Sequence, residues 1–276
     1  MISIEILNFA LPLLYAAIIV VYGINFFRKS EINDMVSGIR RPLLLLIILL
    51  QAVYFILRSI EFNHAPITSS YEILTLLAFS ISLSYFYIEI KTGVKDTGFF
   101  IMLIAGILQI ISSLYIVELK EINPILKNWF LGFHVVFVLV GYSAITISGI
   151  YGMLYIKLYN DIKASRFGAV YKRLPSLDLL EKMTSNAVQF GFIALSLTIL
   201  VGVIWLPHSV PNFSYADPKL ITTLIVWIIY GVGFVSNRVK KFQSKTLMTM
   251  AFAGFIVTMF SVAIVNIFLS SFHKFN

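Results

Sequence analysis

The sequence predicts an all-α, polytopic membrane protein of eight transmembrane helices with both termini outside. Three observations carry that prediction. The 276 residues are 59% hydrophobic and only 12% charged, with mean hydropathy +0.92; a soluble domain carries about 25% charged residues. Eight apolar stretches are each long enough to cross a hydrocarbon core of about 30 Å at about 1.5 Å per residue. The positive charges are sorted between alternate loops, as the positive-inside rule requires.

The expected spans run over about 6–27, 42–61, 72–90, 98–117, 129–156, 187–206, 219–236 and 246–271. The first lacks a basic leader and continues for a full span, so it is expected as an ordinary helix and not a cleavable signal. The loop after it holds Arg28, Lys29, Arg40 and Arg41, and the third loop Lys91 and Lys95. The fifth holds Lys157, Lys163, Arg166, Lys172, Arg173 and Lys182, and the seventh Arg238, Lys240, Lys241 and Lys245. Sixteen of the 21 Lys and Arg thus fall on one side, which is read as cytoplasmic. Glu89, near the cytoplasmic end of span three, is expected to be solvated. In the long loop 157–186, Leu177, Leu179, Leu180 and Met183 have helical spacing and predict an interfacial helix leading into span six. A docking surface for a cytoplasmic partner is the other reading of that loop. With no internal repeat and no low-complexity linker, residues 1–276 are expected to form one domain.

The same features exclude several function classes. The +8 net charge lies in short loops between apolar runs, which excludes nucleic acid as a partner. The chain has no cysteine, so disulfides, thiolate metal sites and a covalently attached c-type haem are impossible on it. No P-loop, nucleophile elbow, HExxH or DxDxDG pattern occurs, and a self-contained enzyme is not expected. No chain of membrane-embedded carboxylates or histidines points to a proton-coupled transporter. In span five, Tyr142, Ser143, Thr146, Ser148 and Gly152 read as helix-packing residues.

The topology places all four histidines, His64, His134, His208 and His273, on the external side. His208 reads as a loop residue between spans six and seven. His134 begins span five and His273 ends span eight, so the two imidazoles converge if those spans touch. Two neutral imidazoles fill both axial positions of a haem iron. Zinc is the alternative, with Asp217 or Glu72 as an additional ligand, although no HxH or HxxxH spacing occurs.

Four segments carry a resemblance. Residues 205–230 read WLPHSVPNFSYADPKLITTLIVWIIY. Trp205, then Asp217-Pro218-Lys219, then Trp227 and Tyr230 keep the frame WAxxxWGxYWxWDPKExWxxxxWxxY. Arg58, His64, Pro66, Tyr71 and Glu72 follow RxxExGHxPxxxxYE; His134-Val135 with Tyr142 follows HVxxxxxxY; and Asn266 with His273 follows NxLxSGLH. Together these resemble the CcsA/CcmC/CcmF family of haem-handling cytochrome c assembly proteins over most of the chain from residue 58 onward. The chain departs from the family's tryptophans at Val210, Ser214 and Ala216, from its Gly at Pro211 and from its Glu at Leu220. The family's membrane histidine after the Trp227 position is also absent, with Val235 and Ser236 in its place. This degenerate tryptophan-rich segment is similar to the HemX-like branch.

The resemblance implies a membrane haem-binding protein of cytochrome c maturation. Haem b would be held non-covalently at the external face of the cell membrane between His134 and His273, for delivery to apocytochrome c. Its partners would be haem, the apocytochrome, the lipid bilayer and a second assembly subunit; a place within a haem lyase/synthase is also admitted. The alternative is a HemX-like regulatory or scaffold protein of haem biosynthesis without haem transfer. Trp205, Phe213, Tyr215 and Trp227 would face the ring, or form an ordinary aromatic belt. Arg58 and Lys219 would pair with propionates, or Arg58 with Glu61 one turn on. His64 falls on a family position as a supporting residue. Asp217 with Pro218 reads as a helix cap opening span seven.

Overall fold

The computed structural model describes residues 2–27, 32–116, 128–209, 214–239 and 243–262, and among them every regular element is a helix. In order, the helices are α1 (Ile2–Phe27), α2 (Ile32–Phe62), α3 (Ser70–Thr92), α4 (Gly98–Tyr115) and α5 (Trp129–Lys163). They continue with α6 (Ala169–Arg173), α7 (Leu177–Ser209), α8 (Pro218–Val239) and α9 (Ser244–Phe260). Seven of the described helices, α1 to α5, α7 and α8, are long and apolar enough to cross a membrane. The expected eighth span, 246–271, runs beyond the described residues; α9, of 17 residues, ends within it at Phe260.

Several boundaries differ from expectation, and α2 starts at Ile32, ten residues ahead of its expected span. Helix α5 continues to Lys163, and α7 starts at Leu177, ten residues ahead of the expected span. The predicted interfacial helix and span six are therefore one continuous helix of 33 residues. No Gly or Pro interrupts residues 177–187. Leu180 and Met183 are buried, and Ser244 at the head of α9 donates to Glu181 at 2.6 Å. The helix thus continues because its inward stripe stays packed past the apolar window.

The helices fall into two compact units. The first comprises α1 to α4 with the segment Phe167–Pro175; the second comprises α5, α7, α8 and α9. In the first unit α1 packs on α2 and α4, and α3 packs on the same two, closing a ring of four helices. Helix α3 begins with a capping box between Ser69 and Glu72 and stops at Gly93, whose φ of 70° suits a residue without Cβ.

Polar side chains line the interior of this ring. On α3 the inward stripe is Glu72, Thr75, Ser82, Tyr85 and Glu89, all buried at intervals of three, four and seven. Tyr15 donates to Gln51 Oε1 at 2.9 Å and lies 2.7 Å from Ser82 Oγ. Gln51 donates to Gln109 at 2.9 Å, and Gln109 to Ser113 at 3.0 Å. Thr75 meets Ser112 at 2.5 Å. In lipid an unpaired polar group costs several kcal/mol, so these groups must find one another across helices. Each such bond contributes about 0.6 kcal/mol on average.

Ion pairs close both ends of that interior. Arg58 Nε lies 2.7 Å from Glu72 Oε1, with both side chains buried. At the other end Arg40 and Arg41 place their Nε atoms 3.2 and 3.1 Å from Glu89 Oε1, and Tyr22 donates to Oε2. Glu89 is 0% exposed, which corrects its expected solvation. It sits on the inward stripe of α3, and the α2 arginines lie over it, so protein cations replace water.

In the second unit α5 packs on α7 and α9, and α8 on the same two. Small residues bring the helices close. A Cβ built on Gly152 would stand 2.7 Å from the Met248 carbonyl oxygen of α9, and one on Gly191 would stand 3.3 Å from the Tyr230 ring. Ser143, Thr146 and Ser148 are fully buried on α5, and Ser148 Oγ meets the Tyr230 hydroxyl at 2.6 Å.

Candidate functional site

His134 lies on the second turn of α5. The Asn128 side chain sets the start of that helix by accepting from Phe130 N at 2.9 Å. The imidazole is half-buried, and its Nδ1 is buried with no hydrogen-bond partner among the described residues. Its neighbours are the Thr198 main chain on α7 and, within electrostatic reach, the Lys219 ammonium on α8. Thr223 Oγ1 on α8 donates to the Lys219 carbonyl at 2.7 Å.

Lys219 owes its position to the start of α8. Asp217 Oδ1 accepts from Lys219 N at 2.8 Å, its main-chain oxygen accepts from Ile221 N at 3.1 Å, and Pro218 is the first helical residue. The expected cap is therefore formed. The arrangement brings together an imidazole with one ring nitrogen uncommitted and a cation on the neighbouring helix. Among the described residues no three or more His, Asp and Glu converge to hold a metal ion by themselves.

The remaining predicted residues divide into three groups. Trp227 serves the seam between α7 and α8: Nε1 donates to Ser196 Oγ at 2.8 Å, and its ring stacks on Phe192 at 5.5 Å. Trp205 is half-buried near the end of α7, and Tyr215 is exposed just before α8. His208 lies within α7, which extends to Ser209, so it is a helix-end residue and not a loop one. Its side chain lies outside the described residues, as do His273 and Phe213 altogether. Hence the partner expected for His134 is not placed.

Arg58, His64 and Glu72 belong to the first unit, whereas His134, Trp205, Asp217, Lys219 and Trp227 belong to the second. The Arg and the final Glu of the RxxExGHxPxxxxYE segment turn out to be the buried pair Arg58–Glu72. Glu72 also accepts from Thr68 N and Thr68 Oγ1, each at 2.7 Å, and from Ser69 N at 3.2 Å. The Tyr54 hydroxyl stands beside the Arg58 guanidinium. His64 Nδ1 lies 2.9 Å from the Ala65 carbonyl, and its ring lies 6.0 Å from Phe62. Sequence reasoning considered Arg58 with Glu61 and missed Glu72 as its partner. The available signal was a lone Arg and a lone Glu at facing ends of two consecutive apolar helices.

Comparison with known proteins bears on the whole chain. The family model described as Cytochrome C assembly protein matches residues 36–273. Protein HemX of Brevibacillus brevis is 26% identical over 227 residues, 79% of this chain and 80% of that protein. Cytochrome c biogenesis protein CcsA of Guillardia theta is 23% identical over 237 residues, 79% of each chain. CcsA of Porphyra purpurea is 23% identical over 308 aligned positions, covering 97% of this chain and 95% of its own. The match begins within α2, spans both helical units and takes in His64, His134, the Asp217 cap and His273; the chain belongs to the cytochrome c assembly protein family.

Proposed function

We propose that this chain is a membrane haem-binding protein of cytochrome c maturation that holds haem b non-covalently for delivery to apocytochrome c. The observation that carries this reading is His134: a buried, unpartnered ring nitrogen at the head of a membrane helix, with Lys219 beside it. Bound haem supplies an iron with two axial positions and two propionates at one edge. His134 and His273 are the residues that would hold the iron. Lys219 is the propionate cation, because Arg58 is already committed to Glu72. Trp205 and Tyr215 offer ring faces near the same helix ends, while Trp227 positions α8 against α7. Asp217 keeps Lys219 in place through the cap. The haem face is external, and a second assembly subunit receives or supplies the haem.

The absorption spectrum of the purified protein tests this. A Soret and α band of bis-imidazole type is expected, and His134→Ala with His273→Ala is expected to abolish it. An unchanged spectrum in the double variant would sink the assignment.

A second reading is favoured by one specific observation, the loss of tryptophan at Val210, Ser214 and Ala216. In it the chain is a HemX-like regulatory or scaffold protein acting through the basic segment 157–186. Deleting the whole gene separates the two readings. Loss of c-type cytochromes supports delivery; normal cytochromes with altered haem synthesis support regulation.

A further inference from the structure

The loop between α2 and α3 carries His64, a histidine of the first unit that the pair His134 and His273 does not involve. Its Nδ1 lies 2.9 Å from the Ala65 carbonyl oxygen, and a carbonyl only accepts, so Nδ1 carries the proton of that bond. In the neutral ring the free lone pair is therefore on Nε2. That nitrogen is buried and has no hydrogen-bond partner among the described residues. Buried polar atoms are nearly always paired, so an open one in a folded chain points to a ligand. One ring N–H tied to a carbonyl, with the other nitrogen left open, is the arrangement of a metal-bound histidine.

The surrounding loop holds the ring in place. Asn63 takes a left-handed turn at φ 55°, and Ile67 N donates to the same Ala65 carbonyl at 2.8 Å. Glu72 accepts from Thr68 N, Thr68 Oγ1 and Ser69 N while it pairs with Arg58. The Arg58 guanidinium lies over the Phe62 ring at 4.9 Å. Phe62 packs on the cluster of Ile4, Leu11 and Tyr54, and its ring lies 6.0 Å from the imidazole. A ligand is positioned by such a supporting shell.

The number of donors selects the kind of metal. A bare zinc or copper ion takes about three or four protein ligands, and among the described residues no three His, Asp and Glu converge. A metal already held by the nitrogens of a tetrapyrrole needs a single imidazole. The same end of the unit offers flat apolar faces in Phe62 and in the stacked Tyr71 and Tyr115, 5.7 Å apart.

We propose that His64 Nε2 is the sole protein ligand of a second haem site, built by the first unit and independent of His134 and His273. One imidazole leaves the opposite axial position open, unlike a two-histidine site. The choice of haem as the tetrapyrrole rests on the proposed function; the site itself uses neither residue of that pair.

The full chain carrying His134→Ala and His273→Ala, purified in neutral detergent and titrated with haem b or with zinc ion alone, tests it. This variant is expected to take up one haem with a high-spin absorption and electron-resonance signature. Adding His64→Ala, or His64→Gln, should weaken that uptake at least about tenfold. Thermal unfolding should be unchanged by either replacement, because the Glu72 bonds that anchor the loop are untouched. In the otherwise wild-type chain, His64→Ala should remove the high-spin part alone and leave the bis-imidazole bands. If the double variant takes up no haem while the wild type shows those bands, the His64 site is overturned and the His134 and His273 reading stands. A wild type without haem overturns both. Uptake that survives both His64 replacements, or zinc bound at His64 as tightly as haem, would also overturn the proposal.

Discussion

Glu89 shows how a single side chain acquires a role that its position in the chain does not reveal. Near the end of an apolar stretch a carboxylate ordinarily reaches water, but here the inward stripe of α3 turns it under Arg40 and Arg41. Removing one partner of a buried pair leaves an uncompensated charge and costs about 3–5 kcal/mol. Glu89→Gln preserves the shape and removes the charge, so it is expected to lower the thermal unfolding midpoint of the purified protein substantially. Arg40→Met combined with Glu89→Gln should recover part of the loss, because no lone ion then remains inside. Unfolding of Glu89→Gln at the wild-type temperature would contradict the buried pairing. Arg58 and Glu72 make the same point at the opposite end: Glu61 is near in sequence, but Glu72 arrives through the turn into α3. A through-space partner 14 residues away has no periodic signature.

At the scale of elements, the long apolar helices were readable because hydropathy and the 1.5 Å rise act along the chain. Helix ends were less so. The start of α7 depends on Leu180 and Met183 having somewhere to pack, which hydropathy does not report. Helix pairing in lipid depends on close approach, since lipid tails are as apolar as the helices. Gly152 is the sharpest case, with the main chain of α9 against the place of its missing Cβ. Gly152→Leu is therefore expected to separate α5 from α9, costing at least about 1–3 kcal/mol through overpacking. Gly132→Leu, on the same helix with nothing within 4 Å of a built Cβ, should leave stability unchanged. Thermal unfolding of the two variants side by side checks this, and equal destabilisation would contradict the packing.

For the whole molecule, the sorting of 16 positives to alternate loops predicts which ends of the helices face the cytoplasm. The absence of cysteine makes any introduced thiol a unique reporter. A membrane-impermeant maleimide applied to intact cells is expected to label Ser214→Cys, just before α8, and to spare Ala164→Cys, just after α5. Both residues are exposed. Permeabilised cells should label both. The reverse pattern would invert the topology and place His134 on the cytoplasmic side. Of the candidate site, His134, the Asp217 cap and Lys219 were legible as residues, since helix-start chemistry and an isolated polar group in an apolar run both stand out in sequence. The neighbour Thr198 was not, because it comes from α7, whose pairing with α5 the sequence leaves open.

By itself, the sequence determined the helical membrane class, the approximate spans, the charge asymmetry and the family. These follow from composition and spacing along one dimension, where the cost of placing a charge in hydrocarbon dominates. Only the tertiary structure decided that Arg58 answers Glu72, that Glu89 is shared by two arginines, that a polar stripe fills the first ring of helices and that Trp227 is bound into a helix seam. Those outcomes depend on which helix faces which. In a bilayer that choice is made by small residues and matched hydrogen bonds, a few at a time, and not by hydrophobicity.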